Sequence, residues 1–327
     1  MPGPSAHTFS VDRSRDDSAL SALVREALNV PWTQAKRLCQ RGKVRVDGEP
    51  VTDPGARVRE GSIVAIDPGA PVVIPTGVPG GPNGPAVALS RDRVVYIDQH
   101  VLVFDKPPGI NTVPYAEGER GALVDRLGVA LHKWKLAPAN APLFVVHRID
   151  RETSGLLVFG RTWLAQRHLA HLFRKHLAER AYVAIAHGRF TGERTFESVF
   201  VDDRGDGLRG SARTKSAEGT GRRAVTHVKA LAALPGEGGA TLVECRLETG
   251  RQHQIRIHLS EAGHPLVGER VYIRGVDRAL IDAPRVMLHA RTLGFTHPAR
   301  PDDDPVRFEA AIPDDFIATA RRLGWKG

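Results

Sequence analysis

The stretch His147-Arg148-Ile149-Asp150-Arg151-Glu152-Thr153-Ser154-Gly155 decides the fold. Two apolar runs flank it, Leu143–Val146 before and Leu156–Phe159 after. Runs of this length fit buried strands, so we predict that Asp150 lies on a turn between two strands, in a cleft-like position. The neighbouring arginines would keep its carboxylate ionised, because a close cation lowers a carboxylate pKa. Spacing alone leaves a second interpretation open, since an Asp between two arginines is commonly a surface ion pair.

The chain from residue 89 onward is dominated by short strand-like runs that do not alternate regularly with helices. The runs are Val94–Ile97, Val101–Phe104, Val145–Val146, Leu156–Phe159, Ala181–Ala186, Val225–Leu231 and Thr241–Leu247. Helical patterns follow Thr162, span about Arg251–Ala262 and lie near Asp314–Leu323. This order argues against a doubly wound fold. It favours an α+β fold with a mixed, largely antiparallel central sheet and flanking helices.

The sequence predicts four segments: a flexible tail at 1–15, a small α/β unit at 16–67, a Pro/Gly-rich linker at 68–88 and a large domain at 89–327.

In the small unit we predict helices at Ser18–Leu28 and Thr33–Arg41, with Thr33 as a helix cap. A hairpin turn at Asp47-Gly48 and a strand at Ile63–Ile66 follow. The polar, Gly-rich stretch Asp202–Arg223 predicts a long mobile loop or a disordered insertion.

The composition favours a polyanionic partner. Lys and Arg number 46 against 37 Asp and Glu, a formal excess of 9 positive charges among 327 residues. An excess of this kind is typical of proteins that bind nucleic acid, although an ordinary enzyme with a basic surface shares it. Two distant cysteines, Cys39 and Cys245, are too few for a disulfide framework and lack zinc spacing. This cysteine usage fits a reducing cytoplasm, so we expect a cytoplasmic protein. We find no signal peptide pattern and no membrane-spanning apolar run.

A basic cluster marks the small unit. Its members are Lys36, Arg37, Arg41, Lys43 and Arg45, and no acidic residue lies among them. Placed on a helix and the following strand, they would form a compact positive surface that binds phosphates; a solvated helix face is the alternative. The stretch Thr33–Leu38 with Gly42–Gly48 resembles the S-four-like RNA-binding domain, and the resemblance implies that this unit binds RNA.

Several segments of the large domain resemble the RluA-type RNA pseudouridine synthases. They are Asp105-Lys106-Pro107-Pro108-Gly109, His147–Leu157, Phe173-Arg174-Lys175 with Arg180-Ala181-Tyr182, Glu248–His258 with Gly263-His264-Pro265, and the weaker Met287–Ala290. The resemblance covers nearly all of the chain from residue 89. It implies the pseudouridine synthase fold and an isomerase that detaches uracil from C1′ of a uridine, rotates it and rejoins it through C5. The target base must also leave its stack.

The resemblance also implies roles for individual residues. Asp150 matches the catalytic aspartate, Tyr182 the active-site tyrosine that packs on the base, and Arg256 the arginine that pairs with the aspartate. Arg148 matches an arginine that some members insert into the RNA. From the sequence alone, Tyr182, Ala184 and Ala186 fall on one face of a strand, and a packed core tyrosine is the alternative.

Further RNA contacts are predicted at Arg251 and His253, near the start of a helix where backbone amides suit phosphate; ordinary helix-surface residues are the alternative. The histidines do not form a metal-binding pattern. The isomerisation that the resemblance implies needs no redox cofactor, so no metal and no cofactor are expected. We also expect a monomer with no obligatory protein partner. At Glu269 the family usually has Asp, which bears on substrate choice.

Other functions remain open at this stage. The fold could serve a catalytically silent RNA-binding assembly factor. A nucleosidase or glycosidase would need a second carboxylate, for which Glu152 is the candidate, although residues two apart in a turn often diverge. For the synthase, large-subunit ribosomal RNA is the expected target, by analogy from the small basic unit, and transfer RNA is the alternative.

Overall fold

The computed structural model describes residues 7–68, 87–114, 121–212, 219–236, 238–273, 275 and 279–327. It divides into two compact units, the first formed by residues up to 85 with 199–222, and the second by 86–198 with 223–327. Most of the predicted linker at 68–88 and the first six residues of the predicted tail lie outside the described residues. The remainder of the tail differs from the prediction, because His7–Ser10 form a strand paired with Ile63–Ile66.

The first unit combines two helices with a small antiparallel sheet. Its elements are β1 (His7–Ser10), β2 (Ser18–Ala19), α1 (Leu20–Leu28), α2 (Trp32–Gln40), β3 (Val44–Val46), β4 (Glu49–Pro50), β5 (Arg57–Val58) and β6 (Ile63–Ile66). The main sheet has the order β1-β6-β3-β4. The hairpin prediction is confirmed, since Asp47 and Gly48 have φ values of 51° and 86° between paired strands. The predicted Thr33 cap is wrong, because α2 begins at Trp32, directly after Pro31.

Residues 199–222 belong to the first unit, which the sequence does not predict. They include the short strand β13 (Gly210–Ser211). Arg204 and Asp206 form a buried ion pair at 3.0 Å, and Leu208 is buried. Gly207 lies so close to Trp32 that a Cβ atom there would come within 2.7 Å of the indole ring. The described part of this segment is therefore packed rather than an open insertion.

The second unit is built on one large sheet. Its strands are β7 (Val94–Ile97), β8 (Val101–Lys106), β9 (Phe144–Val145), β10 (Ser154–Gly160), β11 (Glu179–His187), most of β12 (Glu193–Val201) and β14 (Arg222–Leu234), β15 (Ala240–Leu247), β16 (Leu288–Phe295) and β17 (Val306–Glu309). Its helices are α3 (Leu123–Lys133), α4 (Trp163–Arg174), α5 (Gln254–Glu261) and α6 (Asp314–Arg322). The sheet order is β12-β14-β15-β11-β16-β10-β8-β7. The sequence patterns do not predict the helix α3 or the strands β12, β16 and β17.

The predicted α+β architecture is confirmed. Neighbouring strands of the sheet pair antiparallel at every register that the structure describes, except that β10 runs parallel to β16. Strand β11 separates two apolar cores as its alternation predicts: Tyr182, Ala184 and Ala186 belong to one, and Val183 and Ile185 to the other. No helix among the described residues has the length and apolar character to cross a membrane.

The parallel contact between β10 and β16 requires a glycine. Gly155 has a φ of +113°, and a Cβ atom there would lie 2.2 Å from the carbonyl oxygen of Ala290. Both the backbone conformation and the lack of space exclude a side chain. Because Gly155 directly follows the Asp150–Ser154 segment, this close approach fixes where that segment enters the sheet.

We predict that Gly155→Ala lowers the free energy of unfolding more than Gly192→Ala, measured by thermal unfolding. Gly192 also has a positive φ, +69°, but a Cβ atom there would have no neighbour within 4 Å. Gly192→Ala, the matched control, should lower the free energy of unfolding only by the cost of placing alanine at a positive φ, about 1–2 kcal/mol. Gly155→Ala should lose a further ~1–3 kcal/mol from overpacking. Equal losses in the two variants would contradict the close-approach argument.

Two buried histidines are held neutral inside the second unit. His258 is bonded through both ring nitrogens, to Thr226 Oγ1 at 2.9 Å and Ser198 Oγ at 3.0 Å. His289 contacts Ser154 Oγ at 3.0 Å, next to Gly155. Burial lowers the pKa of each imidazole to about 4. Protonation of either ring therefore opposes the native structure.

We predict that acid destabilises the protein between about pH 6.5 and pH 4. The unfolded histidines bind protons near 6.5 and the native ones only near 4, so stability is present above the unfolded pKa and is lost as the pH falls. Each histidine should contribute up to about 2 kcal/mol of loss between neutral pH and about pH 5, in urea unfolding. His289→Gln should flatten this slope, whereas replacement of the exposed His132 by Gln should not. An unchanged slope in His289→Gln would contradict the assignment.

Candidate active site

Asp150 lies in the loop that joins β9 to β10, as the flanking apolar runs predict. The backbone of this loop is held by hydrogen bonds from several elements. Thr112 Oγ1 donates to the Ile149 carbonyl at 2.9 Å. The Arg151 carbonyl accepts from Lys106 Nζ at 3.0 Å and from the Gly109 amide at 2.8 Å. The loop is thereby fixed through its main chain, which leaves the Asp150 side chain available to the site.

Two buried cations supply part of this support. Lys106 is fully buried, and its ammonium also donates to the carbonyls of Pro107 and Ile110 at 2.9 and 3.0 Å. Burial lowers the pKa of Lys106 to about 7, while three carbonyl acceptors match the three protons of the charged form. Arg285 donates to the Glu152 carbonyl at 3.2 Å and pairs with Asp315. The Asp105–Gly109 segment therefore acts as a brace for the Asp150 loop.

The Asp150 side chain opens into a cavity of about 520 Å³. It is 19% exposed, and a basic side chain faces each of its oxygens. Arg256 Nη1 lies 3.9 Å from Oδ2, and His253 Nε2 lies 3.8 Å from Oδ1. Both distances are too long for hydrogen bonds, and the Arg256 contact is an ion pair. The carboxylate is therefore placed between two basic groups.

Arg256 is oriented by Glu269. Its Nε and Nη2 atoms donate to the two carboxylate oxygens of Glu269, each at 2.7 Å. Burial opposes the charged guanidinium, but the Glu269 charge outweighs it and raises the pKa of Arg256. Burial likewise opposes the Glu269 carboxylate, yet the charge and hydrogen bonds of Arg256 lower its pKa. With two nitrogens fixed in this fork, the third nitrogen of the planar group faces Asp150.

The same short segment also orients His253. Tyr272 OH lies 2.7 Å from His253 Nδ1, which leaves Nε2 facing Asp150. The Arg256 guanidinium lies 5.3 Å from the centre of the Tyr272 ring, a cation–π contact. Residues 269–272 thus hold both basic groups of the site. Glu269 acts on one and Tyr272 on the other.

Tyr182 lines the same cavity from β11 and is 8% exposed. Burial raises the pKa of its phenol to about 12, and the Asp150 charge adds to the effect. The phenol is therefore neutral across the physiological range. A neutral ring beside the carboxylate can pack on a planar base, whereas it is a poor proton acceptor at neutral pH.

The predicted RNA-binding residues fall into two groups. Arg148 and Arg251 line the cavity with His253, and Arg251 Nε donates to the Arg223 carbonyl at 2.9 Å. The five residues of the basic cluster lie in the first unit, where Arg37, Arg41 and Arg45 are exposed. Lys36 is only partly exposed, and burial together with the charge of Arg209 lowers its pKa. Phosphate binding by these residues stays a prediction.

Three residues of the site receive no role from the sequence: Glu269, Tyr272 and Arg180. Arg180 is buried at the cavity wall, donates to the Glu248 carbonyl at 2.7 Å and lies 5.5 Å above the Phe173 ring. Glu269 stands out in the sequence only as a departure from the family's usual Asp. Glu and Asp both carry a negative charge. An acidic residue at position 269 is therefore the sequence signal from which a partner for Arg256 could be predicted.

Comparison with known proteins identifies the class. A family model described as RNA pseudouridylate synthase matches residues 100–261, and a model for the S4 domain matches residues 20–64. A ribosomal large subunit pseudouridine synthase D of Zymomonas mobilis is 34% identical over 92% of this chain and 91% of its own length. The chain therefore belongs to the RNA pseudouridine synthase family, a family of isomerases, and carries an S4 RNA-binding domain.

Other relatives agree with this assignment. An RNA pseudouridine synthase of Bacillus subtilis, YlyB, whose name describes it as uncharacterized, is 32% identical over 90% of both chains. The solved structure of human RNA pseudouridylate synthase domain containing 4 covers 71% of this chain and 93% of its own, with a TM-score of 0.55 and 21% identity. At that identity the likeness supports the fold alone. It confirms the predicted pseudouridine synthase fold.

We predict that Glu269→Gln lowers kcat roughly ten- to a hundredfold with little change in KM for RNA. The neutral amide cannot hold the guanidinium in the same fork, and small misplacements at a reacting centre have effects of this size. The variant should also lose stability, since a buried charge is left without its partner. Glu269→Asp keeps the charge and should retain most activity. A folded Glu269→Gln enzyme with wild-type kcat would show that Glu269 does not position Arg256 for catalysis.

Proposed function

We propose that this enzyme isomerises specific uridines of large-subunit ribosomal RNA, with Asp150 as the catalytic carboxylate. The observation that carries the proposal is the placement of Asp150 in a cavity with a basic side chain facing each oxygen. A carboxylate beside Arg256 is suited to act at an electron-poor sugar carbon, because a close cation favours its charged form. The cavity of about 520 Å³ falls in the size range of small-ligand pockets, which a single extruded nucleotide could occupy.

The reaction exchanges one bond for another within the nucleotide. The N1–C1′ bond breaks while the Asp150 carboxylate acts at the sugar, and the uracil turns within the cavity. The C5–C1′ bond then forms, C5 loses its proton and N1 gains one. Atoms and electrons balance without an external oxidant or reductant, so the residues of the cavity need only position groups and move one proton.

The remaining residues have separable parts in this scheme. Arg256, fixed by Glu269, orients Asp150 and balances its charge. Tyr182 packs its neutral ring on the uracil during rotation. Arg148 is exposed at the cavity wall and takes the place of the extruded base, which lowers the cost of unstacking. Arg251 and His253 lie at the cavity where backbone phosphates would pass.

The choice of ribosomal RNA is supported by the names of the relatives. Several are ribosomal large subunit pseudouridine synthases D, including those of Zymomonas mobilis and Xylella fastidiosa. The exposed arginines of the S4 domain are suited to structured RNA, whose phosphates they can neutralise. Transfer RNA is the alternative substrate. A ribosomal RNA target would also place the enzyme in the cytoplasm.

We expect pure protein to release tritium from RNA labelled at uridine C5, taken from cells lacking the enzyme. Release requires loss of the C5 hydrogen, so cleavage of the glycosidic bond alone would not produce it. Asp150→Asn should abolish release, by a factor of about a thousand or more if the carboxylate is the nucleophile, while RNA binding is retained. Separate assays on large-subunit ribosomal RNA and on transfer RNA identify the substrate.

Glu152→Gln is the matched control in the same loop. Its carboxylate is 41% exposed and lies 3.6 Å from Arg151, without a described ion pair to Arg256. Activity should remain close to wild type. Full activity in Asp150→Asn, or loss in Glu152→Gln alone, would overturn the assignment of Asp150. Release from transfer RNA only would overturn the ribosomal target and leave the chemistry intact.

A further inference from the structure

One face of α4 leads away from the cavity and has no part in the chemistry above. At about 100° per residue, Trp163, Arg167, Ala170, His171 and Arg174 share one side of this helix. The opposite side buries Ala165, Leu169 and Leu172 in the core. Ala170 and Arg174 also line the cavity of Asp150. The exposed face is therefore continuous with the active site at its C-terminal end.

The charge of this face suits a polyanion. Residues 161–176 contain Arg161, Arg167, Arg174 and Lys175 and no acidic residue. Arg167, Arg174 and Lys175 are exposed. Cations along one side of a helix, without acidic residues to neutralise them, attract phosphates. An acidic protein surface could also be attracted, but the continuity of this face with the cavity of Asp150 favours RNA.

That aromatic residue is Trp163, which is 60% exposed at the end of the face farthest from the cavity. Its ring meets Phe144 edge-on, with centroids 6.5 Å apart and planes at 63°. The Thr162 hydroxyl accepts a hydrogen bond from the Ala165 amide at 3.1 Å and caps the helix beneath it. The indole is thus supported from one side and open to solvent, which is the arrangement of a base-stacking platform.

We propose that an unpaired nucleobase of the substrate RNA stacks on Trp163, and that the strand between it and the target uridine follows the basic face of α4. Trp163 and Arg174 are separated by about 16 Å along the helix, at roughly 1.5 Å per residue. The strand between the stacked base and the target uridine therefore spans at least this length. This site rests on RNA being the substrate, and it helps select which uridine is modified.

The test compares RNA binding and single-turnover tritium release for four variants of α4, with large-subunit ribosomal RNA from cells lacking the enzyme. Trp163→Ala should weaken RNA binding about five- to a hundredfold, the effect of losing one stacked base, and should leave the rate at saturating RNA unchanged. Trp163→Phe should restore most of the affinity. Arg167→Gln should reduce the slope of log affinity against log salt by about one.

Leu164→Ala is the matched control. Leu164 is 73% exposed on the same turn of the helix but has no aromatic face, so its loss should leave RNA affinity unchanged. Wild-type affinity in Trp163→Ala overturns the proposal and favours a protein partner for this face. Equal weakening in Leu164→Ala and Trp163→Ala also overturns it, because the contact is then not stacking. Absence of tritium release in the wild type would instead refute the proposed function. The binding assay does not depend on catalysis, so it tests the Trp163 site separately.

Discussion

The ion pair between Arg256 and Glu269 is the constraint on which the candidate active site depends. Both side chains are buried, and the two donor–acceptor distances are 2.7 Å. Removing two charges from water is expensive, and such a pair commonly adds little net stability compared with apolar residues. Its presence is explained by geometry, because two nitrogens of Arg256 are fixed and the third faces Asp150. Glu269 is itself fixed by the amides of Val271 and Tyr272.

A second set of contacts fixes Asp150 from its main-chain side. Lys106, Thr112 and Arg285 come from separate parts of the chain, and each donates to a carbonyl of the Ile149–Glu152 segment. Without these contacts the loop could move, and the Asp150 carboxylate would occupy several positions. A preorganised carboxylate avoids that reorganisation during the reaction. The loop and Arg256 are therefore positioned independently and meet at the carboxylate.

Local sequence patterns predict strands, turns and helix faces. They do not predict contacts between segments that are distant in the sequence. The apolar runs around Asp150 indicate its place between two strands, and the alternation at Tyr182 indicates which residues share its face of the strand. Helix α3 was missed because its interior glycine weakens the helical signal. No local pattern names Glu269 as the partner of Arg256, since only the folded chain brings the two together. The same holds for residues 199–222, whose polar composition indicates a loop although a few buried groups fix their placement.

The residues proposed to face RNA fall into two kinds, those that would contact phosphates and those that would contact bases. This difference suggests which unit contributes RNA affinity and which selects the uridine. Exposed arginines such as Arg37 and Arg41 are predicted to contact phosphates, which every RNA carries. Such contacts would contribute affinity that falls with salt and carries little sequence information. In the proposed scheme, a cavity that admits one base and an indole that stacks another would act only where bases are unpaired at a suitable spacing. Selection of a uridine should therefore reside in the second unit, where Asp150 and Trp163 both lie. In this proposal the S4 domain would set how long an RNA stays bound while the correct nucleotide is extruded.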